Sequence, residues 1–318
     1  MRVARTALDE LLRRALRRGG LTDDEAHACA FEMIESEQHG SPDFGVCMVP
    51  HILEWHQRKR GEPIVHDRGP ASAFVDGQDT VGPRVAWIAM DLAIQKAREH
   101  GIGLVGMVNH TPWLRAGTQP RRAAELGLVG ATMSVGVAIA APHGGTRPVF
   151  GTNPMGVAVP ASGGPIVLDM ACTKGSATIL RPAAEPMPEG LAIDRRGEPT
   201  TDRKDARKGA LLLFGEHRGS GIALMIELLA GAWLGGAKVG KKQPGARGAL
   251  FMAAAPDLFG TGADLAARAE LLAEELLAAG DDVHIPGRGL GLGADEVEVD
   301  DESLATLRGL AEAASEPT

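Results

Sequence analysis

The chain has 318 residues, of which 44% are apolar, enough for one large domain or two closely packed ones. The net charge is −8 and lysine and arginine form no domain-sized cluster, which argues against a nucleic-acid-binding protein. The three cysteines are widely spaced and indicate neither a disulfide framework nor a metal site. The Arg-rich N-terminus does not carry the apolar stretch of a secretory signal, and the most apolar helix is shorter than the roughly 20 residues that cross a bilayer. We therefore expect a cytoplasmic protein without membrane contact.

The first 60 residues carry the patterns of helices. Residues 4–18 are amphipathic, and Thr22–Glu25 is a capping box of the form S/T-x-x-E that opens a second helix. Pro50 suits the first turn of a third helix, because proline needs no hydrogen-bond acceptor there. A strand and turn follow in SAFVDGQDTVG, and Pro83 then opens a helix with an apolar stripe.

From residue 102 the sequence changes to short β-rich runs between glycine and proline turns: IGLVGMVN, LVGATMSVGVAIA, MGVAVPA and PIVLDMA. One helix, at PRRAAELG, interrupts them, and further helices are predicted at 220–234, in the stretch ending at Gly280, and from Glu302. Residues 182–208 are rich in proline and charge and are predicted to form a surface loop.

This order of elements predicts the fold class. The strands follow one another instead of alternating with helices, which favours an α/β protein of the α+β type with a mixed or antiparallel sheet. We predict a helical domain at 1–70, joined by a C-terminal helix at 300–318, and an α/β domain at 71–299 that binds cofactor and substrate.

The segment Gly101–Gly106 matches the glycine pattern G-x-G-x-x-G of Rossmann dinucleotide-binding folds. That pattern works when a strand precedes the glycines and a helix follows, since the helix N-terminus then meets the pyrophosphate. Here a predicted helix precedes the glycines and a predicted strand follows. We interpret the segment as a helix end entering a strand, and predict a non-Rossmann fold.

Polar side chains cluster at predicted strand ends and helix starts, where small anionic ligands commonly bind. The clusters are VNHTPWLRAG, APHGGTRPVFGTNP, VLDMACTKGS and FGEHRGSG. Taken singly, each is an ordinary turn, but four of them in one chain favour a ligand site. The chain contains no tyrosine, which excludes a tyrosine proton donor, and it carries neither a G-x-S-x-G elbow nor a P-loop.

In this order the clusters resemble the malate/L-lactate dehydrogenase family of non-Rossmann NAD(P)-dependent oxidoreductases, over about residues 20–290. The specific segments are GTNP, PIVLDMA, GEPTTD, LLLFGEHRGSGIALMIELLAG and HIPGRG, and HGIGLVGMVNHTPWLRAG is similar to the corresponding segment of 2,3-diketo-L-gulonate reductases within the family. The resemblance implies a homodimer that reduces a small anionic substrate with NADH or NADPH. The substrate would be a 2-oxo acid, a diketo sugar acid or a cyclic imino acid.

The resemblance also implies which residues contact the dinucleotide. They come from three separate segments: Leu168, Asp169, Met170, Ala171, Cys172, Thr173 and Lys174; His217 and Arg218; and Gly287, Arg288 and Gly289. The family usually has Lys at the position of Arg218, so the positive charge is retained. Guanidinium and ammonium groups at such positions can bind pyrophosphate or ribose.

Two substitutions stand in the segment QHGSPDFGVCMVP. The family has a proton-donating His in Ser-His-Gly-Val, and an Arg two residues after this segment that can grip a substrate carboxylate. Alignment on Gly45 and Val46 puts Phe44 and Met48 at these two positions. A phenylalanine cannot supply the proton that a carbonyl needs when it becomes an alkoxide. We expect Phe44 and Met48 to line the substrate site as apolar groups.

Three interpretations of this loss remain open. A neighbouring histidine, His39, His51 or His110, takes over the acid role. Alternatively, the substrate is an imine that is already protonated in solution and needs little acid help. In the third interpretation the chain is a paralogue that binds cofactor but is catalytically weakened or repurposed. An assay with both cofactors and a panel of oxo acids and imines distinguishes them.

Among the side chains present, we predict His110 as the acid, held by Asn109 or Asp169, with hydride transfer close to His110 and Asp169. His39 is the second candidate, although its position also fits a histidine at a helix end. In place of the missing Arg, we predict that the substrate anion is held by Arg115 or Arg147, with Asn153 beside it.

Overall fold

The structure is a computed structural model that describes residues 1–182, 185–235, 247–260, 264–289 and 291–312. The helices are α1 (Arg5–Arg18), α2 (Asp23–Gln38), α3 (Val49–His56), α4 (Gly82–His100), α5 (Thr118–Glu125), α6 (Arg203–Lys208), α7 (His217–Ile226), α8 (Leu265–Leu277) and α9 (Asp301–Glu312). A π-helical turn, Glu227–Ala232, extends α7, and 3₁₀ turns lie at Pro42–Phe44, Val46–Met48 and Ala177–Leu180. No helix within the described residues is long and apolar enough to cross a membrane.

The strands are β1 (Arg2–Ala4), β2 (Ile64–Asp67), β3 (Ser72–Asp76), β4 (Ile102–Val108), β5 (Val129–Ser134), β6 (Ala140–Ala141), β7 (Met155–Val159), β8 (Ile166–Met170), β9 (Ala192–Ile193), β10 (Pro199–Thr200), β11 (Ala210–Leu212), β12 (Gly248–Ala254) and β13 (Glu296–Glu298). The main sheet has the order β2-β3-β4-β12-β5-β7-β8, and a smaller sheet has the order β10-β9-β11-β6. In the main sheet β3 and β4 run parallel and the other neighbours run antiparallel. The predicted mixed, largely antiparallel α/β fold is confirmed.

Local signals act as the sequence predicts. Thr22 caps α2 by accepting a hydrogen bond from the Glu25 backbone, and the Glu25 carboxylate accepts one from the Thr22 backbone at 2.8 Å. Gly101 ends α4 in the left-handed region, with φ at 84°, and β4 follows directly. The glycine pattern at 101–106 is therefore a helix end entering a strand, as interpreted from the order of elements.

The main sheet is covered on both faces. Helices α4 and α5 pack on one face, where Val85, Met90 and Phe251 share an apolar cluster. Helix α7 and its π-helical extension pack on the other face, against Leu250 of β12 and against strand β11. Alternate residues of β12 thus point into two different cores, which explains why this strand is apolar throughout.

The N-terminal helices share a core with the end of the chain. Leu8, Leu12, Leu304 and Leu307 belong to one apolar cluster, and β1 pairs antiparallel with β13. The predicted C-terminal helix at 300–318 is observed as α9, and residues 313–318 lie outside the described residues. The division into domains at 1–70 and 71–299 stays a prediction, but β2 pairs with β3 and so joins the main sheet.

One prediction about local structure was wrong. Residues 182–208 were expected to form a surface loop, but the described part contains β9, β10 and helix α6. Asp202 begins α6 by accepting hydrogen bonds from two backbone N–H groups of its first turn. A proline- and charge-rich composition masked these short elements, of which β9 pairs antiparallel with both β10 and β11.

Candidate functional site

The connection after β4 contacts β12 and β5 of the main sheet. Trp113 packs on Phe251 of β12 with ring centroids 5.1 Å apart. The Ala116 carbonyl accepts a hydrogen bond from Thr132 Oγ1 of β5 at 2.6 Å. This connection carries the polar cluster VNHTPWLRAG from β4 toward β8, so its two ends lie far apart.

At the β8 end, Arg115 forms an ion pair with Asp169. Arg115 Nε and Nη2 donate to Asp169 Oδ2 at 3.0 and 2.8 Å, and the side chains are 7% and 15% exposed. The guanidinium charge is therefore compensated, so Arg115 is not a free anion-binding group; its predicted role in holding the substrate is corrected. Asp169 Oδ1 accepts no hydrogen bond from the described residues and remains available to a ligand.

His110 lies at the other end of the connection. Its Nδ1 lies 2.7 Å from the Thr111 carbonyl, and the side chain is 2% exposed. Strand β8 is four strands away from β4, roughly 19 Å at about 4.8 Å per strand. The predicted support from Asp169 is therefore wrong, and Asn109 bonds to Asp76 instead.

Burial lowers the pKa of His110 to about 4, so its imidazole is neutral near pH 7. A buried side chain with this pKa is not an imidazolium near pH 7, and its Nδ1 bonds to the Thr111 carbonyl and not to Asp169. The structure therefore does not favour the predicted role of His110 as the acid.

His39 forms the C-cap of α2, where its backbone N–H donates to the Glu35 carbonyl at 2.9 Å. Burial, together with the nearby positive charges of Arg115 and Arg121, lowers the pKa of His39 to about 4. Near neutral pH this side chain is therefore not an imidazolium and is a weak acid, so the structure favours the helix-end interpretation over the role of replacement acid.

The loop after α2 folds back on the helix that precedes it. Glu37 Oε1 accepts a hydrogen bond from the Val46 backbone at 2.7 Å, and a Cβ at Gly45 would collide with this carboxylate. Burial raises the pKa of Glu37 to about 7. Sequence reasoning missed Glu37, because nothing in the helical pattern indicates that the chain turns back onto it. Phe44, half-buried in the same loop, stays a predicted substrate contact.

Met48 is buried in the N-terminal helical core, so most of its side chain is closed to a substrate. The sulfur of Met48 contacts a cation, because Arg181 Nη2 lies 3.0 Å from Met48 Sδ. Arg181 Nη1 also donates to the Asp43 carbonyl at 3.2 Å. Sequence reasoning missed Arg181, which lies 133 residues from Met48 and in no recognised motif.

Two of the predicted cofactor segments lie side by side. Lys174 donates its backbone N–H to the Leu212 carbonyl at 2.9 Å, and Phe214 donates to the Cys172 carbonyl at 2.9 Å. This pairing brings the end of VLDMACTKGS next to the residues that lead into α7, which begins at His217. The Cys172 and Thr173 side chains are buried, so side-chain contacts from these two residues to a cofactor are not supported.

The third segment lies against the β8 edge. Val167 donates its backbone N–H to the Pro286 carbonyl at 3.0 Å. Gly287 has φ at 76°, and a Cβ there would lie 2.8 Å from Val167 Cβ. Arg288 forms a two-pronged ion pair with Glu270 at 2.8 and 2.6 Å, and its contact with the cofactor stays a prediction.

Exposed positive side chains lie where the first two segments meet. Lys174, His217 and Arg218 are exposed, and none of the described carboxylates forms an ion pair with Lys174 or Arg218. Leu168, one residue before Asp169, is 38% exposed. A helix N-terminus with cationic side chains beside it is well suited to bind the phosphates of a dinucleotide. Met170 and Ala171 are partly buried and stay predicted contacts.

Asn153 and Arg147 do not join Asp169. Asn153 is fully buried, and its amide donates to the Ala223 carbonyl at 3.0 Å and to Glu227 Oε1 at 3.1 Å. It therefore ties the turn GTNP to α7, and its predicted contact with substrate is corrected. Arg147 is exposed in the turn between β6 and Phe150, and its role stays a prediction.

The family of the chain follows from comparison with known proteins. The family described as malate/L-lactate dehydrogenase matches residues 3–291. L-sulfolactate dehydrogenase from Methanothermobacter thermautotrophicus is 29% identical and is matched over 98% of this chain and 96% of its own. Delta(1)-pyrroline-2-carboxylate/Delta(1)-piperideine-2-carboxylate reductase from Pseudomonas syringae pv. tomato is 32% identical over 95% of both chains.

A solved structure is similar over almost the whole chain. It is that of delta1-piperideine-2-carboxylate reductase from Pseudomonas syringae pvar. tomato, with a TM-score of 0.87, 29% identity, and coverage of 98% of this chain and 99% of that one. The predicted resemblance is confirmed by sequence and by fold. The chain therefore belongs to the malate/L-lactate dehydrogenase family of oxidoreductases.

Proposed function

We propose that the chain reduces a small cyclic imino acid with a nicotinamide cofactor. The proposal depends on one observation, which is that no imidazolium is present among the predicted proton donors near pH 7. Phe44 stands at the family's donor position, while His110 and His39 are both neutral near pH 7 because burial lowers their pKa values. A relative whose name is that of a pyrroline- and piperideine-2-carboxylate reductase supports the same substrate class.

The proton balance explains why an imine suits this site. Reduction of a ketone adds hydride to carbon and leaves an alkoxide that needs a proton from a positioned acid. A protonated imine carries its proton on nitrogen before hydride arrives, and becomes a neutral amine without an acid from the protein. The chain then has only to bind the substrate, orient it and exclude water.

The residues present fit a nicotinamide dinucleotide. Lys174 and Arg218 would bind the phosphates at the α7 N-terminus, and the Gly287 backbone would approach closely because a side chain is excluded there. Asp169 Oδ1 would accept a hydrogen bond from the cofactor or the substrate. When bound, the cofactor supplies the hydride. NADH and NADPH both remain candidates.

A second substrate class is a 2-oxo acid, including a diketo sugar acid. The observation that favours it is Glu37, whose pKa burial raises to about 7 and whose carboxyl contacts the loop that contains Phe44. A carboxyl that keeps its proton near neutral pH can serve as a general acid. The name of a second relative, L-sulfolactate dehydrogenase, is consistent with an oxo acid.

We also propose a homodimer. The helix from α7 into its π-helical turn exposes a row of large apolar side chains: Ile222, Leu224, Met225, Leu228 and Trp233. Exposed apolar patches of this kind commonly mark interfaces. A second copy covering this face would explain why the most apolar helix of the chain has an exposed side. Light scattering coupled to gel filtration measures the mass directly.

A single assay series tests the reductase proposal. Purified protein is titrated with NADH and with NADPH, and absorbance of the reduced nicotinamide is then followed with pyrroline-2-carboxylate, piperideine-2-carboxylate, oxaloacetate and sulfopyruvate. We expect turnover with the two cyclic imino acids. Turnover of oxo acids alone supports the second class, and cofactor binding without turnover of any substrate supports a catalytically weakened or repurposed paralogue.

A further inference from the structure

The guanidinium of Arg181, a residue outside the family motif, lies beside Met48, the position at which the motif lacks its arginine. Met48 occupies the place of the family's Arg, and Arg181 Nη2 lies 3.0 Å from Met48 Sδ. We propose that Arg181 replaces the missing Arg and binds the carboxylate of the substrate. This inference rests on the proposed function, because it assigns the substrate's anion to a residue of the same site.

The contacts of Arg181 leave most of its hydrogen-bonding capacity unused. A guanidinium has five N–H donors, and thioether or thiol sulfur is a weak acceptor. Arg181 donates to one carbonyl, that of Asp43, and otherwise contacts Met48 Sδ and Cys47 Sγ. No carboxylate within the described parts of the chain lies within 4.0 Å of it. A half-buried cation without a counterion has both the charge and the free donors to bind an anion.

Two other arginines near this loop are already neutralised. Arg115 pairs with Asp169, and Arg121 pairs with Glu35 at 2.9 Å. The Asp43 carboxylate accepts a hydrogen bond from Thr178 Oγ1 at 2.7 Å and forms no ion pair with Arg181 within the described residues. The difference between Arg181 and these paired arginines is what points to a ligand.

The segment that carries Arg181 is held from two sides. On one side the Thr178 hydroxyl bonds to Asp43 of the loop. On the other side Arg207 Nε, from α6, donates to the Leu180 carbonyl at 2.6 Å. Toward the N-terminus the chain returns through Lys174, paired with Leu212, to Asp169 on β8. Contacts on two sides thus hold the segment that carries the guanidinium. A short segment of the chain connects Arg181 to Asp169, whose Oδ1 accepts no hydrogen bond from the described residues.

The surroundings define the chemical class of ligand. A carboxylate can accept two parallel hydrogen bonds from a guanidinium. Phe44 lies one residue from Asp43 in the same loop and presents an apolar ring. A small apolar ring that bears one carboxylate therefore fits the pair of groups, and a cyclic imino acid has this composition.

The test separates charge recognition from folding. The probes are pyrrole-2-carboxylate, a planar unreactive acid, and pyrrole-2-carboxamide, its neutral counterpart, and their dissociation constants are measured by calorimetry with and without NADH. We expect Arg181→Met to weaken carboxylate binding by about tenfold to a hundredfold, the range for a lost charge-assisted hydrogen bond. Carboxamide binding and NADH binding should stay unchanged. Arg195→Met, which removes an exposed charge in the β9–β10 turn, is the matched control.

Two further variants protect the test against a folding artefact. Arg181→Lys keeps the charge but loses the paired donors, so it should recover only part of the affinity. Met48→Arg combined with Arg181→Met returns the cation to the family's position and should restore carboxylate binding and the KM for pyrroline-2-carboxylate.

Equal losses for acid and amide, or no loss in Arg181→Met, would overturn the assignment of Arg181. So would a wild-type protein that binds neither probe. Absence of NADH and NADPH binding by the wild type instead overturns the proposed function, while the preference for acid over amide, measured without cofactor, still decides the role of Arg181.

Discussion

Arg115 and Asp169, which are 54 residues apart in the chain, share one oxygen: Arg115 Nε and Nη2 both donate to Asp169 Oδ2. The pairing leaves Oδ1 of Asp169 for a ligand and fixes the carboxylate at the end of β8. It also removes Arg115 from the set of cations that could bind a substrate anion, which gives the unpaired Arg181 its significance.

Breaking this ion pair should destabilise the protein. Arg115→Met leaves a largely buried carboxylate without its counterion, and we expect the free energy of unfolding to fall by about 3 kcal/mol. Urea unfolding followed by circular dichroism measures the change. Arg195→Met, on the surface, should change it by less than about 0.5 kcal/mol. A similarly small change for Arg115→Met would show that the pair is not structural.

Introducing an imidazole at position 44, the predicted donor position, should alter substrate preference. Phe44→His places a titratable group at the donor position, and we expect activity on 2-oxo acids to rise by about 10² or more, the typical contribution of a general acid. Activity on cyclic imino acids should change far less, because they bring their own proton. Phe44→Asn, polar but not acidic, is the control. If the histidine variant gains no activity on any oxo acid, loss of the donor does not explain the specificity.

The cofactor assignment predicts a loss of dinucleotide affinity. Arg218 is exposed at the start of α7, and Arg218→Met should weaken binding of NADH or NADPH by about tenfold or more through loss of a charge-assisted hydrogen bond. Fluorescence of the bound reduced nicotinamide measures the dissociation constant. The turn that contains His143 lies next to the start of α7, because the ring centroids of His143 and His217 are 6.4 Å apart. Unchanged affinity in Arg218→Met would remove Arg218 from the cofactor site.

Glu37 predicts a dependence of stability on pH. Its folded-state pKa, about 7, lies above the unfolded value near 4.5, so its stabilising contribution is complete below pH 4.5 and is lost as the pH rises through 7. We expect this loss to be about 1–3 kcal/mol, since the side chain is only partly buried. Glu37→Gln keeps an acceptor for the Val46 backbone but does not titrate.

Comparing the unfolding free energies of the wild type and Glu37→Gln at pH 5 and pH 8 therefore isolates the contribution of Glu37 to stability. The wild type should lose more stability between these pH values than Glu37→Gln, because other titrating groups contribute equally to both proteins. Parallel losses in the two proteins would contradict the raised pKa.

Loss of the α2 cap should have a modest, purely structural effect. Thr22→Ala removes the hydroxyl that accepts from the Glu25 backbone, and we expect a loss of about 1 kcal/mol in the free energy of unfolding. Thr22→Ser keeps the acceptor and should retain most of the stability. Dinucleotide affinity should be the same in both variants, since the cap lies at the start of α2, among the N-terminal helices and outside the predicted cofactor segments.

Local structure and family membership follow from the amino-acid sequence alone. Thr22 and Glu25 interact within one helical turn, and Gly101 ends α4 through its own backbone conformation. Such signals act over a few residues and do not depend on the rest of the fold. The segments PIVLDMA and GTNP likewise identify the family, whatever their side chains contact.

Which polar side chains come into contact depends on the long-range packing of the fold. His110 and Asp169 both follow strands, but the sheet order puts three strands between β4 and β8, and the predicted pair is separated. Arg181 contacts Met48 across 133 residues of sequence. The segment after β8 pairs with β11 and is held by α6, and these contacts place Arg181 beside Met48. Contacts of this span depend on how strands are ordered and on how buried charges are compensated, and neither is encoded in the spacing of neighbouring residues.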